Sequence, residues 1–210
     1  MQKLLYVTCD LRPVEHSRSL IVGSEFLNEY IKWNPEDEIY MLDLYRDYIQ
    51  RTDADVLNGL EKMRSGHHFA ALTTDEQRKI GRIWKLIDQF VAVDKYVFVA
   101  PVEKMGFPDE LRMYIDTVCV VNKIHRDANR EFESILKNQG RKCLLIHTTG
   151  RLDSRDMETH NLSYFGSVMK LIGIEEFETI AVKENDAIPE KARECIDGEI
   201  KKALKLAVQF

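Results

Sequence analysis

A short apolar run, Leu4 to Val7, gives way at Thr8 to a loop, after which His16, Ser17, Arg18 and Ser19 open a long helical pattern. Two hydroxyls and a guanidinium at a helix start suit an anion. The first backbone N–H groups of a helix lack intrahelical partners, and the helix dipole is positive at that end. The chemistry implied is capture of a cofactor phosphate. Ser17 or Ser19 also suits plain capping of the helix, a frequent use of serine. On this stretch alone both uses stay open.

Other reactive patterns are missing. His16 beside Ser17 does not make a base and nucleophile, because sequence neighbours rarely face each other and no nucleophile-elbow glycines flank the serine. No G-x-G-x-x-G follows the first apolar run, and no phosphate-binding G-x-x-x-x-G-K-[ST] occurs. His67 and His68 are adjacent, with no acid or cysteine at metal spacing, and read as an exposed loop, so no metal is expected. His147 ends an apolar run, where structural and functional uses are equally open.

The elements that must position the helix start are legible from periodicity. Leu20, Ile21, Phe26, Leu27, Tyr30 and Ile31 recur at helical spacing through Trp33, and Pro35 closes that helix. Glu38 to Leu44 reads as a second strand, and Asp53 as the start of a short helix in an otherwise irregular stretch from Tyr45 to Thr74. Thr74, followed by Asp75, Glu76 and Gln77, reads as the hydroxyl cap of a helix running to about Ala92. Tyr96 to Ala100 is an unbroken apolar strand, as a central parallel strand requires. A helix follows from Asp109 to about Val121, then a polar, poorly periodic segment from Asn122 to Gln139. Cys143 to His147, roughly Glu158 to Leu171, Phe177 to Val182 and Pro189 to Val208 read as strand, helix, strand and helix. This alternation implies an α/β domain with a parallel sheet and helices on both faces. Ligands of such sheets bind beyond the carboxyl ends of the strands, which here means the loops ending at Ser19, starting at Pro101 and starting at Thr148.

Composition sets the remaining bounds. A chain of 210 residues with 44% hydrophobic and 31% charged residues has the make-up of an ordinary globular protein, and residues 1–210 are expected to form one domain. A net charge of −5 argues against a nucleic-acid-coating protein. Cys9, Cys119, Cys143 and Cys195 are scattered without paired spacing, which fits a reducing compartment. With no signal-like segment and no 18-residue apolar run, the expected location is the cytoplasm, with no membrane partner.

Three blocks together resemble a family. Tyr6, Val7 and Thr8 lead to Pro13 and on through Ser17-x-Ser19. Val99, Ala100 and Pro101 precede Phe107 and Pro108. Leu111 is followed by Tyr114, Ile115 and Asp116. With the late segments from Tyr164 to Gly166 and Leu171 to Ile174, the pattern is similar to the FMN-dependent NADH:quinone oxidoreductases and azoreductases, over nearly the whole chain. The resemblance implies a flavodoxin-like three-layer sandwich around a five-stranded parallel sheet of order 2-1-3-4-5. It also implies a homodimer with flavin sites at the subunit interface. FMN would be the cofactor, NADH or NADPH the donor, and quinones or azo compounds the acceptors. By the same resemblance Ser17, Arg18 and Ser19 would hold the FMN phosphate, and Asp10 would be among the cofactor-binding residues. Pro101, Val102, Glu103, Lys104 and Met105 would run along the flavin ring, and Thr148, Thr149, Gly150 and Arg151 would approach its pyrimidine side. No side chain is assigned as a proton donor, and solvent can serve.

The chain departs from the family at the ring end. Val102-Glu103-Lys104-Met105 stands in place of Met-Tyr/Trp-Asn-Phe, and Thr149-Gly150-Arg151 in place of Arg-Gly-Gly. Asp127 to Phe132 replaces the usual Tyr-Thr-Glu-Asn-Gly-Pro. The competing expectation is therefore a flavodoxin-fold paralogue with weakened or lost FMN binding, acting as a non-catalytic binding module.

Overall fold

The computed structural model describes residues 1–102, 106–119, 125–128, 131–134, 136–137, 139–149, 155–183 and 189–210. Strand β1 (Lys3–Thr8) leads to α1 (Arg18–Trp33), β2 (Glu38–Asp43), α2 (Ala54–Arg64), α3 (Thr74–Val91), β3 (Lys95–Pro101) and α4 (Asp109–Val118). A hairpin of β4 (His125–Ala128) and β5 (Glu131–Ser134) precedes β6 (Lys142–Thr149), α5 (Arg155–Ile172), β7 (Glu176–Lys183) and α6 (Pro189–Gln209). The main sheet runs β2-β1-β3-β6-β7, every pair parallel. This is the expected flavodoxin-like order, with the hairpin inserted outside it.

Why the strands sit in this order follows from how much of each is apolar. All seven residues of β3 are buried, as its unbroken apolar run requires at the centre of a two-faced sheet. Leu4 and Tyr6 of β1, Val97 and Val99 of β3, and Leu144 and Ile146 of β6 pack with Leu20, Val22 and Phe26 of α1 and Ala203 and Ala207 of α6. Residues of opposite parity, such as Val7, Phe98 and Leu145, pack with α3, α4 and α5. The period-two alternation thus sorts side chains into two cores.

Gly23 lets α1 lie directly on the sheet. A Cβ there would stand 2.5 Å from Tyr6 Oη and 2.8 Å from Val99 Cγ2. The far end of α5 is fixed by a Schellman turn: Gly173 N–H donates to Lys170 O and Ile174 N–H to Met169 O, with Gly173 at φ +98°. Against that turn lies the segment leaving the hairpin, where Ser134 Oγ donates to the Ile172 carbonyl and Leu136 is buried.

Two expectations need correction. The segment from Asn122 to Gln139 contains an antiparallel hairpin, with His125 opposite Ser134 and Ala128 opposite Glu131. Its strands read His-Arg-Asp-Ala and Glu-Phe-Glu-Ser, so they lack the alternating apolar residues that mark a strand covering a core. The cap of α3 is Thr73, not Thr74. Thr73 Oγ1 accepts from Glu76 N–H at 3.3 Å and Glu76 Oε2 accepts from Thr73 N–H at 2.9 Å, a complete capping box. Gln77, which would have closed a box on Thr74, instead donates to Leu72 O. Among the described residues no helix is long and apolar enough to cross a membrane.

Candidate functional site

The carboxyl ends of β1, β3 and β6 meet at one edge of the sheet. Cys9 N–H donates to Val99 O at 2.9 Å, so the chain stays beside β3 for one residue after β1 before turning away at Asp10. Pro101 pairs with Thr148 across β3 and β6, and Val102 N–H donates to Thr148 O at 3.2 Å. These bonds hold the three loops together at their roots.

The loop after β1 is organised by Asp10. Its Oδ1 accepts from Arg12 N–H (2.9 Å) and Arg12 Nε (3.0 Å), while Oδ2 accepts from Arg12 Nη2 (2.8 Å) and from Ser17 Oγ (2.6 Å). Ser17 in turn caps α1, its Oγ accepting from Leu20 N–H at 3.2 Å, and lies 3.2 Å from Ser19 Oγ. Both serines are fully buried. The two uses left open for these serines meet in one residue, since Ser17 is the cap and also part of a polar cluster at the mouth of α1. Burial pushes the Asp10 carboxyl up, but the bonds from Arg12 and Ser17 outweigh it and hold it below its ordinary value.

A carboxylate held below its unfolded value stabilises the fold above that unfolded value, about pH 3.9, and the contribution is lost as pH falls through the lower folded value. Asp10→Asn is therefore expected to be less stable than the parent at neutral pH. The gap should close on acidification below about pH 4, followed as thermal midpoint against pH.

Arg18 reaches away from the mouth, its Nη1 donating to the carbonyl of Lys183 at the end of β7 (3.0 Å). Thr148 is buried, and its parity with Leu144 and Ile146 puts its side chain on the sheet face that carries α1. Among the described residues its Oγ1 has no hydrogen-bond partner. A buried hydroxyl without a partner costs stability, so this edge has room for an acceptor that the described residues do not supply. Thr149, one residue on, has the opposite parity and is partly exposed.

His147 is fully buried in β6, on the face away from α1. Cys9 is buried among the residues of that same face, and burial pushes its thiol up to about 12, so it is no thiolate at neutral pH. Among the described residues no group of acids, histidines and cysteines could hold a metal. Glu103, Lys104, Met105, Gly150 and Arg151 lie outside the described residues. Reading the sequence missed Arg12. The only signal was an Asp-x-Arg spacing in a loop, short enough for the arginine amide and guanidinium to turn back on one carboxylate.

A family model described as a flavodoxin-like fold matches residues 2–206. A protein of Geotalea uraniireducens named FMN-dependent NADH:quinone oxidoreductase is 55% identical over 210 residues, 100% of both chains. One of the same name from Geobacillus kaustophilus is 36% identical over 214 residues, again across 100% of both. Among solved structures, an azoreductase of Bacillus anthracis superposes with a TM-score of 0.87 at 27% identity, covering 100% of each chain. An FMN-dependent NADH-azoreductase of that species, in complex with FMN, superposes at 0.86 with 22% identity over 99% of this chain and 98% of its own, a likeness of fold.

Proposed function

The chain belongs to the FMN-dependent NADH:quinone oxidoreductase family of the flavodoxin-like fold, and on that premise we propose that it binds FMN and uses NADH to reduce quinones or azo compounds. The observation that carries the reading in this molecule is the pairing of a capped helix start with a buried hydroxyl that has no partner among the described residues. The mouth of α1, lined by Ser17 and Ser19, and Thr148 Oγ1 occupy one edge and one face of the same sheet. A phosphorylated ligand would supply acceptor oxygens for helix-start amides and for hydroxyls.

The residues present fit the cofactor. Ser19 Oγ and the first amides of α1 would donate to the phosphate, with Arg18 and Arg12 the nearby cations. Pro101 and Val102, rooted on Thr148, would set one wall of the ring site, and Thr148 and Thr149 another. FMN bound there would supply a two-electron carrier between nicotinamide and acceptor. The chain's part is to hold the phosphate end rigid, so that ring, donor and acceptor meet face to face. Glu103 to Met105, Gly150 and Arg151 belong to the same proposed ring site.

The same reading makes residues 1–210 one domain of a cytoplasmic homodimer. Described cysteines that are all free support a reducing compartment. Leu11 and Val14, exposed apolar side chains beside Asp10, are surface that a second copy would cover. The paralogue without flavin finds no support among the described residues.

The test is spectral. Protein as purified, or after addition of FMN, is expected to show bound-flavin absorbance that NADH bleaches without oxygen and a quinone restores. Protein that neither retains nor takes up FMN would overturn the reading.

A further inference from the structure

We infer that the Asp10–Arg12 ion pair sets the charge that the mouth of α1 accepts, and so governs its preference for phosphorylated over unphosphorylated flavin. The inference rests on the FMN reading and assigns roles within that site: Asp10 is a built-in anion that restrains phosphate binding, and Arg12 the cation that permits it.

A single proton decides the roles of the two serines. A serine hydroxyl donates once, and Ser17 spends its donation on Asp10 Oδ2 at 2.6 Å while its oxygen accepts from Leu20 N–H. In the Ser17–Ser19 contact of 3.2 Å the shared proton is therefore that of Ser19. Towards an arriving phosphate, Ser17 presents lone pairs and Ser19 has a proton to redirect. Ser17 is thus a positioning residue and Ser19 the hydroxyl donor.

Charge follows the same geometry. The Asp10 side chain is 3% exposed and lies one hydroxyl away from the first turn of α1, whereas Arg12 is 37% exposed on its outer side. An unopposed carboxylate there would repel a phosphate dianion across a partly desolvated gap, where Coulomb energies reach kcal/mol size over several ångströms. The Arg12 guanidinium grips both carboxylate oxygens and cancels most of that field. With the pair intact, Asp10 and Arg12 together add little net charge at the mouth. Removing one partner leaves a net charge of known sign.

Two substitutions should therefore act in opposite directions. Asp10→Asn keeps one carbonyl oxygen, which can serve Arg12 N–H as Oδ1 does now, and deletes the negative charge, and Arg12→Gln deletes the positive one. Dissociation constants for FMN and for riboflavin, which lacks the phosphate, are measured by fluorescence quenching in phosphate-free buffer. Asp10→Asn is expected to tighten FMN by about tenfold and Arg12→Gln to weaken it by about tenfold, with riboflavin changed by less than about twofold in both. Both effects should shrink as salt is raised. FMN:riboflavin ratios that stay at the parental value, or that move the same way in both variants, would overturn the inference while leaving flavin binding intact. If Asp10→Asn does not fold, Arg12→Gln decides alone: an unchanged ratio overturns it. Binding of neither flavin by the parent protein would overturn the FMN reading itself, and this inference with it.

Discussion

Replacing Ser17, Arg18 and Ser19 together by alanine is expected to weaken FMN binding by more than about tenfold, since the charge-assisted bond from Ser19 alone contributes about 1.5–3 kcal/mol. The single substitutions should separate cap from ligand. Ser17→Ala removes the cap on α1 and the bond to Asp10, so its main effect is on stability, about 1–3 kcal/mol. Ser19→Ala leaves both of those bonds in place and takes away the hydroxyl proton that Ser17 cannot offer. Its main effect should be on FMN affinity. Calorimetric melts and FMN titrations on the two single variants check the assignment, which fails if Ser19→Ala melts lower but binds FMN as the parent does.

Gly173→Ala is expected to cost about 3 kcal/mol or more, lowering the thermal midpoint by about 6–12 °C for a domain of this size. Two effects add. A side chain at φ +98° is strained wherever it stands. In addition, a Cβ here would meet backbone rather than a movable side chain, with Lys137 N at 2.7 Å and the Leu136 carbonyl carbon at 3.0 Å. The chain leaving the hairpin would have to lift away from the Schellman turn, loosening the Ser134–Ile172 contact and exposing Leu136. Thermal unfolding checks this, and a midpoint within about 1 °C of the parent would contradict it.

The main sheet was readable because its strands carry their burial in their composition. Seven consecutive buried residues in β3 and the apolar core of β6 leave no half-exposed alternative. Where burial is absent the reading lost resolution. The hairpin of β4 and β5 shows a single large apolar residue, Phe132, in eight, which is no periodic signal. Thr73 and Thr74 both satisfy a capping pattern, with Glu76 and Gln77 respectively. The choice is made by tertiary partners, since Glu76 also binds Lys62 at 2.7 Å and Gln77 turns back to Leu72.

The site divides the same way. The helix start was visible as Ser17-x-Ser19, because caps and anion sites draw on the same few residue types. That Ser17 gives its proton to Asp10, and that Arg12 closes on the same carboxylate, depends on how the eight-residue stretch from Asp10 to Ser17 folds back. No periodicity encodes that. Arg18 bonds to the carbonyl of Lys183, 165 residues away, a contact that only the sheet order brings about. Thr148 was marked by its place after a strand, yet its significance lies in a buried oxygen with no partner among the described residues, which depends on the packing around it.

The central claim is that the phosphate of FMN is held at the mouth of α1, and the affinities of the unmodified protein for FMN and riboflavin test it most directly. With three or more charge-assisted bonds made to the phosphate, FMN is expected to bind about a hundredfold or more tighter than riboflavin. Equal affinities would contradict it.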